Sequence, residues 1–161
     1  MGEATLPPAV GHTRRYRASP SILVASAALS VISGGLVAAV TGPLGLDRGS
    51  WLAAYLVLVC GVGGWSVGVM QRGGVAGMSP LWARAQLAAW AVGNTAVIIG
   101  SLSLTTLSVD AGVVLLEMAL LIAFITAPAV AAVGRASGWG YRALLILLMV
   151  SAPVGSVLSR L

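Results

Sequence analysis

Four polar side chains stand where the chain is otherwise greasy. Gln86, Asn94 and Ser101 lie in one apolar run, and Glu117 lies in the next, inside GVVLLEMALLIAF. Glu117 is the only acid well inside a long apolar stretch. An ionisable group in that setting commonly marks a proton or cation pathway, because carrying it into lipid costs roughly 3 kcal/mol or more. The competing reading is structural: a neutral carboxyl hydrogen-bonded across a helix pair to Asn94, Ser101 or a partner subunit. No second acid, histidine or basic side chain accompanies Glu117 in mid-run, as a proton relay requires, so the structural or subunit-contact reading is preferred.

Other chemistry is poorly provided for. The single cysteine, Cys60, is inside an apolar run and reads as a small buried residue, since one cysteine forms no internal disulfide. The single histidine, His12, is in the polar N-terminal stretch, which leaves no histidine pair for haem and no histidine-based metal centre within the membrane. HExxH, GxSxG, a Walker loop and an Asp-rich motif are all missing, and GVGG (Gly61 to Gly64) sits in mid-helix rather than between a strand and a helix. The sequence therefore predicts no catalytic residue, no cofactor, no metal and no enzyme.

The elements that must hold these residues follow from composition. Apolar residues make up 58% of the 161 and charged residues 8%, against roughly 25% charged in soluble domains. Mean hydropathy is +1.00. These values describe an integral membrane protein in contact with a lipid bilayer. The net charge of +5 comes from nine arginines and no lysine. The arginines flank apolar runs and no groove-reading motif accompanies them, so nucleic acid is not an expected partner.

A spanning helix needs about 20 mainly apolar residues, and five segments qualify: about 21–41, 50–70, 85–108, 109–134 and 141–159. The third and fourth cannot be one helix. Residues 85–134 would reach roughly 75 Å at 1.5 Å per residue, against a hydrocarbon core of about 30 Å. Turn chemistry occurs only in TTLSVDAG, where Ser108 is placed to cap a new helix with Asp110 in its first turn. A tight antiparallel hairpin follows. Asn94, roughly 15 Å beyond Arg84, is then near the midplane, and Glu117 falls at a depth between Asn94 and Ser101.

Arginine placement orients the bundle. With the N-terminus cytoplasmic, seven arginines (14, 15, 17, 72, 84, 135 and 142) lie inside and two (48 and 160) outside, as the positive-inside rule requires. Trp51, Trp82, Trp139 and Tyr141 fall at interfaces, while Trp65 and Trp90 fall deeper. Residues 1–18 are a polar tail ahead of a five-helix domain at 19–161 whose C-terminus is outside. The first apolar run is of full spanning length, which favours a retained helix over a cleaved export signal. Pro128 and Pro153 are expected to kink the helices that contain them.

Small residues recur every four positions: Ser26, Ser30, Gly34 and Ala38 in the first helix, Cys60, Gly64 and Gly68 in the second, and Ala85, Ala89 and Gly93 in the third. Such stripes form grooves in which helix backbones approach closely. They serve packing within the chain or a homo- or hetero-oligomeric face.

Two stretches, VTGPLGLDRGSWLAAYLVLVCGVGG (40–64) and QLAAWAVGNTAVIIG (86–100), resemble the small, largely uncharacterised multipass membrane proteins of high-GC actinobacteria, as does the lysine-free, Ala/Val/Gly-rich composition. Some of those proteins look like pieces of haem-copper oxidase subunits. The haem-ligating histidines are missing here, so no redox role carries over. The expectation is an all-α integral membrane bundle in the inner (plasma) membrane, a small structural or accessory subunit of a larger respiratory or envelope assembly. The alternative is an oligomeric proton- or cation-coupled transporter or channel that uses Glu117.

Overall fold

The computed structural model describes residues 18–74, 78–130 and 135–158. The expected polar tail with His12, the centre of the loop between the second and third helices, and the end of the chain with Arg160 lie outside the described residues. Among the described residues there are five helices, each long and apolar enough to cross a membrane. They are α1 (Ala18–Leu44), α2 (residues 49–74), α3 (Pro80–Leu102), α4 (Thr106–Val130) and α5 (Arg135–Leu158). Among the described residues there is no strand. Within α2, α-helical Gly49–Tyr55 passes into a π-helical stretch, Leu56–Gly63, and returns to α-helix at Gly64–Gly74.

The helix ends show local chemistry that hydropathy alone does not capture. Gly45, at φ 59°, ends α1 in a Schellman motif in which the Leu46 N–H donates to the Thr41 carbonyl at 3.0 Å. α3 ends the same way, with the Thr105 N–H on the Gly100 carbonyl at 2.9 Å, but here Leu104 takes the left-handed position at φ 59°. The α3–α4 turn is therefore at residues 103–105, earlier in the chain than TTLSVDAG suggested. Ser108 does not cap α4; it is already inside the helix, its Cβ packed close to Gly100. α3 also starts before Arg84, because Ser79 caps it by accepting from the Trp82 N–H at 3.4 Å and Pro80 opens it. α5 runs on through Pro153, and α4 runs past Pro128.

The helices form two hairpins with α5 laid against α4. In α1–α2, a Cβ on Gly34 would meet the Val57 side chain at 2.7 Å and the Ala53 carbonyl at 3.0 Å. Gly61 abuts Val31, and Gly68 abuts Val24 and the Pro20 carbonyl. The α1 seam runs through Leu23, Val24, Ala27 and Gly34, all buried, so Ser30 is half-buried beside it and Ser26 is exposed. Both serines donate to their own helix, Ser26 to the Leu23 carbonyl and Ser30 to the Ser26 carbonyl, each at 2.9 Å. In α3–α4 the backbones themselves touch: a Cβ on Gly93 would stand 3.0 Å from the Gly112 carbonyl and the Leu116 N–H nitrogen. A Cβ on Gly112 would meet the Gly93 carbonyl and the Val97 nitrogen at 2.8 Å.

The outer faces carry leucine, isoleucine and valine, whereas Gln71, Gln86 and Asn94 are buried. Polar groups inside and aliphatic ones outside is the arrangement a bilayer selects.

These seams predict a graded response to alanine. Gly112→Ala forces backbone against backbone, and we expect a loss of about 1–3 kcal/mol in bicelle unfolding. Gly64, whose Cβ would make only ordinary contacts at 3.5 Å, tolerates alanine, and Gly35→Ala, with nothing within 4 Å, is neutral or stabilising. Equal sensitivity at Gly112 and Gly35 would contradict the packing.

Candidate functional site

The two hairpins are joined by polar side chains between α2 and α3. The Asn94 carboxamide oxygen accepts from the Tyr55 hydroxyl at 3.0 Å and from the Cys60 thiol at 3.1 Å. Its amide donates back to the Trp90 carbonyl at 2.8 Å. Eight residues away along α3, roughly 12 Å, the Gln71 amide donates to the Gln86 carboxamide oxygen at 2.8 Å, both side chains being buried. A third tie lies beyond Asn94, where the Arg48 guanidinium in the first loop donates to the Ser101 carbonyl. That carbonyl is one of the last four of α3 and has no helical partner, so a cation there satisfies both the hydrogen bond and the helix dipole.

The π stretch explains how Tyr55 and Cys60 share one acceptor. At 100° per residue, positions five apart on an α-helix point about 140° away from each other. A π-helix bonds i to i+5, so the fifth residue comes round nearly above the first. Leu56–Gly63 is wound that way, and both donors thus face Asn94. Helical periodicity read from the sequence places them on different faces, which is why neither was identified as a partner.

Glu117 does not join this network. Asn94 is turned toward α2, while the α3 face that meets α4 is the glycine face of Gly93, Val97 and Gly100. Nor does Glu117 lie on the α4 stripe that returns the contact, Gly112, Leu116, Ala119, Leu120 and Ala123, all buried. It is one position past Leu116, half-buried on the flank, with exposed Val114, Met118 and Leu121 beside it. Its Oε1 is nonetheless enclosed and has no hydrogen-bond partner, a state shared among the described residues only by the Tyr141 hydroxyl. The expected contact of Glu117 with Asn94 or Ser101 is not made.

A cavity of about 240 Å³ separates the hairpins near the Arg48 end. Trp51, Tyr55 and Val59 of α2 face it, with Trp90, Val97 and Ser101 of α3 opposite. α4 contributes the stripe from Val109 to Leu120, and α5 closes the side with Leu148 and Ser151. The Trp51 and Tyr55 rings stack at 5.2 Å between centroids. Glu117 is not among the lining residues. Trp90 is the buried tryptophan between helices, whereas Trp65 faces outward. Of the other residues singled out by sequence, Gln86 and Gly93 are buried on α3, Ser101 is half-buried, and Gly34, Gly64 and Gly68 are buried on the α1–α2 side. Gly61, Gly100 and Gly112 pack equally tightly but were not singled out; Gly112 opens the Glu117 run and Gly100 precedes the turn, so their four- and seven-residue distances to other small residues were the available signal.

Among the described residues no group of three or more His, Cys, Asp or Glu side chains is placed to hold a metal ion. No protein-family model matches the chain, and no curated protein or solved structure matches it either.

The Asn94 junction predicts a ranked set of losses in the same unfolding measurement. Asn94→Leu strands the Tyr55 hydroxyl and should cost about 1–3 kcal/mol. Tyr55→Phe removes one interhelical bond and should cost about 0.6 kcal/mol, with Cys60→Ala smaller still. If Asn94→Leu is neutral, the carboxamide does not hold α2 to α3.

Proposed function

We propose that the chain is a non-catalytic integral membrane protein of the plasma membrane, acting as a structural or accessory subunit of a larger membrane assembly. The observation that carries this reading is the enclosed, unpartnered carboxyl oxygen of Glu117 on the flank of α4. The buried amides of this bundle are satisfied within the chain: Asn94 by α2, Gln86 by Gln71. Among the described residues Glu117 and the Tyr141 hydroxyl are the exceptions, and Glu117 sits where α4 turns from its own core toward lipid-facing Val114, Met118 and Leu121. The other carboxyl oxygen of Glu117 is also without a partner in the chain but is not enclosed. A hydrogen-bond donor from a neighbouring helix of another subunit would reach it and convert an unfavourable group into a point of recognition.

The same unpartnered carboxyl is what a proton- or cation-coupled transporter would display. Against that second reading, Glu117 does not line the cavity between the hairpins, so a path through the bundle would pass it by.

The readings part on substitution. A contact role predicts opposite signs for Glu117→Leu: the isolated chain becomes neutral to about 1 kcal/mol more stable, because an unsatisfied acceptor is removed, while its share in the native assembly falls. Glu117→Gln, which still hydrogen-bonds, keeps the assembly. Native gels of membrane extracts alongside unfolding of the purified chain read both quantities. Loss of ion-coupled flux in Glu117→Gln with an unchanged assembly would overturn the contact role in favour of transport.

A further inference from the structure

The cavity between the hairpins is a slot with a direction. On α4 its lining runs from Val109 to Leu120, and on α3 from Ser101 back to Trp90; each end lies eleven positions from the other, roughly 16 Å at 1.5 Å per residue. The lining follows both helices over that length, so the cavity, of about 240 Å³, is elongated rather than round. Its walls are mainly aliphatic and aromatic, with Ser101 and Ser151 among them, and Trp90, itself 7% exposed, stands at the end away from Ser101 with Gly63 and Gly64 packed against its ring. The two ends differ in chemistry. At the Ser101 end sits the exposed Arg48 guanidinium, which spends one N–H on the Ser101 carbonyl and has five in all. The stacked Trp51 and Tyr55 rings form a flat wall beside that end.

We propose that this slot binds a single-chain amphiphile: one aliphatic chain lies along α3 and α4 with its tip toward Trp90, and a hydrogen-bond-accepting head, such as a carboxylate, rests on Arg48. The elongated shape and the volume of about 240 Å³ suit one extended chain better than a folded peptide. The wall chemistry selects hydrocarbon, since no charged side chain lines the slot. The guanidinium sets the orientation, because a charge-assisted bond to a carboxylate is about twice as strong as a neutral one. This site is separate from Glu117 and stands whether or not the chain is a subunit.

Trp51 and Trp90, both in the lining, are built-in reporters. The full chain, with Trp65, Trp82 and Trp139 changed to Phe, is placed in nanodiscs of unbrominated lipid. It is then titrated with dibromostearate or with a dibrominated alkane of equal length. Saturable quenching of these two tryptophans by dibromostearate and much weaker quenching by the alkane are expected. Excess unbrominated stearate restores the emission, a result that needs no slot variant. Val113→Phe, which fills the slot midway, abolishes the quenching, and Arg48→Gln weakens dibromostearate binding about tenfold. Quenching that rises in proportion to either probe, is not reversed by stearate and persists in Val113→Phe would overturn the proposal. Equal binding of stearate before and after Arg48→Gln would overturn the head assignment.

Discussion

The Asn94 carboxamide is the constraint on which the bundle depends. Glycine seams bring the backbones of α1 and α2, and of α3 and α4, into close contact, whereas between the hairpins Gly63 and Gly64 meet the Trp90 ring only at ordinary contact distances of 3.4 and 3.5 Å. Between them stand Asn94 with Tyr55 and Cys60, and Gln86 with Gln71. Lipid offers no driving force for helices to associate through their aliphatic faces, so the join must come from close packing or from hydrogen bonds that lipid cannot supply. One acceptor oxygen serving two donors makes Asn94 the more consequential of the two rungs.

The winding of α2 is the cost of that junction. α2 must present Gly61 and Gly68 to α1 and, on another face, Tyr55 and Cys60 to α3. Regular α-helical winding cannot bring Tyr55 and Cys60 together. Widening the turn over Leu56–Gly63 does so, and the glycines within the stretch pack against Val31 on one side and Trp90 on the other. Where aromatic rings rather than glycines face each other, at Trp51, Tyr55 and Trp90, the hairpins stand apart and the slot lies between them. Arg48 ties the ends of the two hairpins across its mouth.

Much of this was legible in composition and spacing. Five spans and a folded-back third and fourth segment follow from hydropathy and length, and small-residue periodicity marks Gly34, Gly68 and Gly93, each of which lies against a neighbouring helix. What could not be read depends on rotation about the helix axes. Asn94 and Gly93 are neighbours in sequence yet face different helices, so depth alone wrongly suggested Glu117 as the partner of Asn94. Ser26 sits in a convincing four-residue stripe but falls one position off the seam made by Leu23 and Ala27. The α3–α4 turn was misplaced because it uses Leu104 in a left-handed position, where propensity would have asked for glycine or asparagine. Tyr55 and Cys60 were hidden by a winding that no α-helical template contains.

Glu117 is the residue this account leaves incomplete within one chain and complete only beside another. Its oxygen is enclosed, unpartnered and at the edge of the α4 stripe. The most direct measurement is native mass spectrometry of the protein extracted gently from its own membrane. Expected is co-extraction with stoichiometric unrelated subunits that are lost in Glu117→Leu. A wild-type chain that leaves the membrane alone, as a bare monomer or a homo-oligomer, would contradict the subunit role.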